Sequence, residues 1–449
     1  MLDVIANSNI KAVIGMGITG LSVARYLARK GLPFIMLDTR DEPANLPEFK
    51  REFPNVAIEL GALSVETLLL TEEIILSPGV ALAEPAIEAA IAEGISVIGD
   101  IDLFAREAKA PIAAITGSNA KTTVTSLVGE MAKASATVVS VGGNIGRPVL
   151  DLLNDEGVQL YVLELSSFQL ETTSELNATV ACVLNISPDH MDRYAALPAY
   201  VMAKQRIYFG ADNIVFNRED TLTQPPIASG VQVYNFGLNK PDRGGFGLLT
   251  KGTCEYLAYQ FETLLPVSEI KLPGRHNLAN ALASLAIGQA LGFSMSSMLG
   301  VLTSFSGLDH RCQWVRELDG VDYFNDSKGT NVGATLAAIN GLSRAPASLI
   351  LIAGGVGKGA VFSKLSSALR NHVSALILFG RDASLIADAV QGSTDIHHVA
   401  SLAEGVSLSR NLARSGDAVL LSPACASFDM YTGFEARGEA FIECVEALQ

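Results

Sequence analysis

The stretch Thr116-Gly-Ser-Asn-Ala-Lys-Thr-Thr123 follows an apolar strand, Ile112–Ile115, and opens a helix at Lys121–Ala134. In that setting the backbone N–H groups of Gly117, Ser118, Asn119 and Ala120 can wrap a phosphate. Lys121 can then reach the β- and γ-phosphates, while Thr122, with Thr123 beside it, offers a hydroxyl to Mg²⁺. The pattern is incomplete, because Ile115 and Ala120 stand where a standard phosphate loop has glycine. An ordinary strand–turn–helix junction has the same outline.

Other reactive side chains also fall at strand ends. Glu164 closes the apolar run Leu160–Glu164, where a parallel sheet binds ligands, and beside a phosphate loop it could hold magnesium. The alternative is a solvated rim carboxylate. His190 sits between Asp189 and Asp192 directly after the strand Val180–Leu184, as a candidate metal ligand or a structural histidine, with Lys204 on the next helix. Asn277 and Asn280 share one helix face and suit a heterocycle edge, or else Asn277 caps the helix and Asn280 is exposed. Arg311, Asp326 and Lys328 gather around another strand end. The glycine loop Gly354–Gly359, carrying Lys358, and the polar loop Leu421–Ser427 follow two more strands. Finally, Gly15-x-Gly17-x-x-Gly20 with Asp38 matches the dinucleotide fingerprint, and taken alone it reads as an NAD site.

The elements that must position these groups alternate strand and helix throughout. The first stretch has strands Ile10–Ile14, Pro33–Leu37, Glu73–Leu76 and Ile95–Ile98, with helices Leu21–Lys30 and Glu84–Glu93. The second adds strands at Thr137–Val141 and around Glu164 and Cys182, surface loops or hairpins over Thr221–Gly252, and a helix Asn277–Leu291. The third has strands Val321–Phe324, Ala347–Ile352, Ala375–Phe379 and Ala418–Leu421 with a helix Ser401–Ala413. Such spacing calls for right-handed crossovers and parallel sheets. The expected fold is α/β in three domains, divided at loops near Gly99–Asp102 and Ser304–Leu308: residues 1–100, 101–306 and 307–449.

Composition bounds the function. The 449 residues are 49% apolar and 18% charged, which excludes a disordered chain. Thirty-two basic against 47 acidic residues give a net charge of −15, which disfavours nucleic acid or an anionic membrane surface as partner. Five scattered cysteines form no CxxC pair, Met1–Asn9 has no basic signal-peptide start, and no uncharged apolar run approaches a membrane span. A cytoplasmic protein without membrane insertion is expected.

In their order along the chain, Gly117–Thr123, Glu164-Leu-Ser-Ser, the His190 loop, Gly274-Arg-His-Asn277, His310-Arg311, Asn325-Asp-Ser-Lys328 and Ser422-Pro-Ala-Cys-Ala-Ser427 resemble the Mur ligases over essentially the whole chain. The resemblance implies an N-terminal Rossmann-like domain, a central ATPase-like phosphate-loop domain with a mostly parallel sheet, and a C-terminal Rossmann-like domain. Gly142-Gly-Asn-Ile-Gly146, Glu164–Glu171 and the Asp429–Gly438 ending, with Phe434 and Arg437, point to the branch joining D-glutamate to UDP-N-acetylmuramoyl-L-alanine. That activity consumes ATP in peptidoglycan precursor synthesis, and so serves cell-wall growth, cell shape and division.

Roles implied by the resemblance are specific. Lys121 would bind the ATP phosphates, Thr122 and Glu164 one Mg²⁺, and His190 with a carbamylated Lys204 a second. Asn277 and Asn280 would meet adenine; Arg311, Asp326 and Lys328 would close over ribose and phosphates. Thr330, Lys358, Ser427 and Phe434 would place D-glutamate, and Asn144 the muramoyl substrate. Ile18-Thr19, Asp38-Thr39-Arg40 and Ser77-Pro78-Gly79 would hold UDP, replacing the NAD reading of the glycine turn. Ala120 departs from the family glycine, with strain of about 1 kcal/mol if its φ is positive. Val356 departs from a frequent aspartate. A monomer is expected. A nicotinamide oxidoreductase leaves Lys121, Glu164 and Lys204 unexplained, and a non-catalytic nucleotide sensor would not need every catalytic group.

Overall fold

Strands that are buried on both faces read as unbroken apolar runs, and three sets of them assemble into three sheets. The structure is a computed structural model that describes residues 9–225, 230–272, 274–342 and 349–449. In the first sheet β1 (Lys11–Ile14), β2 (Phe34–Asp38), β3 (Ile58–Leu60), β4 (Glu73–Leu76) and β5 (Ser96–Ile98) lie parallel in the order β3-β2-β1-β4-β5. The strand order reverses between β1 and β4, so the turns after these two strands flank the crevice where open sheets take ligands.

The second sheet has nine strands: β6 (Ile112–Thr116), β7 (Val139–Gly143), β8 (Leu160–Glu164), β9 (Val180–Val183), β10 (Asn213–Asn217), β11 (Gln232–Phe236), β12 (Gly245–Lys251), β13 (Cys254–Tyr259) and β14 (Glu262–Pro266). Their order is β14-β13-β12-β11-β10-β9-β6-β8-β7, parallel except for the antiparallel β12–β13–β14 edge. The third sheet, of β15 (Gln313–Leu318), β16 (Val321–Asn325), β17 (Leu349–Gly354), β18 (Val373–Phe379), β19 (Asp395–His398) and β20 (Ala418–Leu421), is ordered β15-β16-β20-β17-β18-β19 with only β15 antiparallel.

One apolar cluster runs from the first sheet into the second. Val13, Met16 and Leu27 join Leu150, Tyr161 and Leu163 through Ile101 and Phe104 of the helix Asp100–Glu107. The third sheet packs on separate clusters of its own. The first two units therefore share a core, whereas polar contacts tie the third to them.

Several sequence expectations are corrected. Ile18 and Thr19 are not a turn but the first residues of the helix Ile18–Lys30, because Gly17 takes the N-cap and brings the helix start forward. The loop expected at Gly99–Asp102 is the start of a helix: Gly99 caps it, and Asp100 and Asp102 suit its N-terminal dipole. The hairpin-rich stretch 221–252 contains β11, a parallel strand, and only its far edge is hairpin. Polar residues hid that strand, since half of its surface is open to solvent. The strand expected at Ala347–Ile352 is β17, its first two residues lying outside those described, as does all of the N-terminal reading but Asn9. Among the described residues no helix is long and apolar enough to cross a membrane.

Candidate active site

The phosphate loop leaves β6, the strand at which the second sheet changes direction. Lys121 folds back over it, Nζ donating to the carbonyls of Gly117 at 2.8 Å and Ser118 at 3.1 Å. Burial pushes the Lys121 amine below its usual range, opposed by the charges of Glu164 and Asp189. Ala120 stands at φ 66°, ψ 0°, in left-handed conformation as the helix N-cap. That geometry costs a non-glycine residue about 1 kcal/mol. Ala120→Gly is therefore expected to raise the denaturation midpoint through about 1 kcal/mol of added stability; an unchanged midpoint would show that Ala120 carries no net strain.

Glu164 ends β8 beside this loop. Its Oε1 accepts from Asn144 Nδ2 at 2.9 Å, while its buried Oε2 has no hydrogen-bond partner among the described residues. An orphaned buried carboxylate oxygen facing Lys121 and Arg311 fits a missing cation. Among the described residues no three His, Cys, Asp or Glu side chains converge as a metal cage. A hydroxyl and one carboxylate completed by phosphate oxygens is the donor set magnesium favours, so Thr122 and Glu164 fit that ion.

Lys204 is buried, its amine 2.9 Å from the Gly117 carbonyl, 3.3 Å from Thr116 Oγ1 and 4.7 Å from the Tyr200 ring centre. His190 stands 3.7 Å from Asp189, its ring edge-to-face on Phe168 with centroids 4.8 Å apart. No hydrogen bond or ion pair among the described residues joins Lys204 to His190, although both feel the charges of Asp189 and Lys121.

The third domain closes the site from above. Arg311 Nη2 donates to Thr122 Oγ1 at 2.6 Å. Lys358 pairs with Asp189 at 3.1 Å, and Asn331 Nδ2 donates to both Asn119 and Asp189, at 3.0 and 3.1 Å. Asp326 takes hydrogen bonds from Ser422 Oγ and the Cys312 N–H, and burial pushes its carboxyl up to about 6. Lys328 lies 3.6 Å from the centre of the Phe434 ring, and burial lowers its amine to about 8.

Two cavities flank this seam. One, of about 320 Å³, is lined by Ala120, Asn277, Asn280, Arg311, Asp326 and Lys328. Asn277 lies inside the helix Arg275–Ala290, capped instead by Gly274, and Asn280 Nδ2 donates to its Oδ1 at 3.0 Å. Both are buried, which removes the cap-and-exposed alternative. The other cavity, of about 330 Å³, is lined by Asp189, His190, Thr330 and Lys358, but Ser427 and Phe434 lie outside its lining.

At the first sheet's crevice, Gly20 cannot carry a side chain, since a Cβ there would sit 1.9 Å from the Gly15 carbonyl oxygen. Ser77 Oγ also donates to that carbonyl, at 2.9 Å. Asp38 is buried and committed: it accepts from the Met16 N–H and holds Arg40 through both oxygens. Instead of facing a ribose, it fixes a half-exposed cation at the crevice mouth.

Sequence reasoning missed Asn331 and undervalued Asp189, which lock the third domain to the second. Adjacency to Thr330 and His190 was the available signal. Val356, the second departure, makes a backbone bridge with Ala426 that ties the Lys358 loop to the Ser427 loop without its side chain. Positive φ at non-glycine residues also marks the site, with Ala120, His190, His310, Cys312, Lys358 and Ala424 all around this seam.

Residues 9–99 match the family Mur ligase MurD-like, N-terminal domain; residues 115–288 match the Mur ligase middle domain; residues 310–425 match the Mur ligase, glutamate ligase domain. Over 448 residues the chain is 54% identical to a protein of Pseudomonas savastanoi pv. phaseolicola named UDP-N-acetylmuramoylalanine–D-glutamate ligase, with 100% of each chain covered. The protein of that name from Pseudomonas aeruginosa is likewise 54% identical over 448 residues, again with 100% of each covered. The MurF ligase of Thermotoga maritima, solved in complex with ADP, shares the fold at a TM-score of 0.61 and 16% identity, over 97% of this chain and 94% of that one. With matched segments spanning each of its three domains and 54% of its residues shared with a full-length relative, the chain belongs to the Mur ligase family.

Proposed function

We propose that the protein joins D-glutamate to UDP-N-acetylmuramoyl-L-alanine at the expense of ATP, in peptidoglycan precursor synthesis. The observation that carries this is the 54% identity over the entire length of relatives bearing that name. Residues 1–100 then hold the UDP end, 101–306 ATP, and 307–449 the amino acid. We infer a cytoplasmic monomer, a reading supported by the three matched domains, one for each substrate, lying on one chain.

A carboxylate is a poor acyl donor. The alanine carboxylate oxygen attacks the γ-phosphorus and ADP leaves, giving an acyl phosphate; the D-glutamate amine then adds to the acyl carbon, loses its proton, and expels phosphate. Lys121 and Arg311 bring positive charge to the transferring group. Thr122 and Glu164 would hold one Mg²⁺, and His190 with carbamylated Lys204 a second. Bound magnesium offsets the repulsion between the carboxylate and the phosphoryl oxygens. Asn277 and Asn280 recognise adenine, with Asp326 and Lys328 at the ribose and phosphates. Thr330, Lys358, Ser427 and Phe434 orient D-glutamate, Asn144 the muramoyl arm, and Ile18, Thr19, Thr39, Arg40, Ser77, Pro78 and Gly79 the UDP, with Asp38 acting through the Arg40 that it holds. Lys358 pairs with Asp189, and the carboxylate of D-glutamate would compete with Asp189 for that amine.

The test is phosphate release from ATP with UDP-N-acetylmuramoyl-L-alanine and D-glutamate, L-glutamate or no amino acid. Release only with D-glutamate is expected. Release with another amino acid overturns the substrate, and no release overturns the activity.

A further inference from the structure

We propose that Arg193 is a positioning residue for the sugar-nucleotide substrate, locking the loop Ser77–Val80 of the first domain to the His190 loop of the second. The inference rests on the ligase reading above. Arg193 follows His190 by three residues, and its backbone N–H closes that turn on the His190 carbonyl at 2.9 Å.

Its guanidinium is mostly buried and makes three hydrogen bonds. Nη1 donates to the Pro78 carbonyl at 3.1 Å; Nη2 donates to the Val80 carbonyl at 3.2 Å and to Glu171 Oε2 at 2.8 Å. Its carbon lies 4.5 Å from the centre of the Phe168 ring, and the same ring supports His190. One planar cation thus holds two carbonyls of the first domain, a carboxylate of the second, and the aromatic face that sets the His190 ring. The loop it grips carries Ser77, whose hydroxyl fixes the glycine turn across the crevice.

The substrate must span this joint, with UDP in the first domain and the reacting carboxylate near His190. Its two ends find both subsites only if the joint keeps its register, and errors of about 1 Å can cost about 100-fold. Lysine cannot replace the arrangement, because a single ammonium has neither the fork nor the flat face. Arg106 supplies an internal control. It bridges the same two domains, from Glu73 at 3.2 Å to Glu175 at 3.0 Å, but touches neither the loop nor the His190 turn.

The experiment measures KM for all three substrates in Arg193→Lys, Glu171→Gln and Arg106→Ala, beside the unaltered protein. Arg193→Lys is expected to raise KM for UDP-N-acetylmuramoyl-L-alanine about tenfold while KM for ATP and D-glutamate stay within about twofold. Arg106→Ala should leave all three within about twofold. Equal changes in all three KM values, no change in the first, or the same effect from Arg106→Ala would each reduce Arg193 to domain glue and overturn the proposal. Should Arg193→Lys not fold, Glu171→Gln decides: a selective rise of about threefold supports the clamp, and none refutes it. An unaltered protein without D-glutamate-dependent phosphate release refutes the ligase reading itself, before any variant is compared.

Discussion

Lys121→Ala is expected to lower D-glutamate-dependent phosphate release by about 1,000-fold or more, with the fold intact. The amine lies over the phosphate loop, and among the described residues its hydrogen bonds are to the carbonyls of Gly117 and Ser118. Those are weak, exchangeable anchors, so a γ-phosphate can take the amine from them. Its loss leaves Arg311, which reaches the loop from the third domain through Thr122, without a counterpart below the phosphoryl group. Because the Lys121 amine bonds to two carbonyls of its own loop, its removal should cost stability no more than about 1–2 kcal/mol and leave the protein folded. Phosphate release measured beside a thermal melt separates the cases. Near-normal turnover in a folded variant would sink the assignment of this loop to ATP.

Much of this site was legible because its groups follow strands. Glycine, lysine and hydroxyl residues directly after an apolar run mark the C-terminal edge of a parallel sheet, and each such loop does lie there. What the sequence hid is long-range. That Asp38 is taken by Arg40 and the Met16 N–H, and not left open to a ribose, depends on a turn of the glycine loop 22 positions away. That Asn331 reaches Asn119 and Asp189 depends on how two domains approach. Strand β11 was unreadable for a different reason: though paired on both sides, it is partly exposed and carries polar residues, so it lacks the apolar run by which the buried strands declare themselves. The helix at Asp100–Glu107 was lost because a glycine followed by acidic residues serves a loop and a helix N-terminus equally well.

Lys204→Ala should be as damaging as the loss of Lys121, and its rescue distinguishes two roles for the side chain. Lys204 makes no ion pair among the described residues, and its amine rests on a carbonyl, a hydroxyl and an aromatic face. Burial drives the amine well below its usual range, which favours its neutral form. A neutral amine can add to carbon dioxide: the N–C bond forms, one proton leaves, and a carbamate anion remains. The side chain then offers oxygens where a cation could not serve a metal. On that account Lys204→Ala loses about 1,000-fold in turnover, and added formate or acetate, filling the vacated space with a carboxylate, restores a measurable part. Lys204→Arg fills the space with a permanent cation that cannot be carbamylated, so it should be inactive and beyond rescue. If Lys204→Ala stays inert at every carboxylate concentration while remaining folded and able to bind ATP, the carbamate is excluded and Lys204 acts as the free amine that props Gly117 and the phosphate loop.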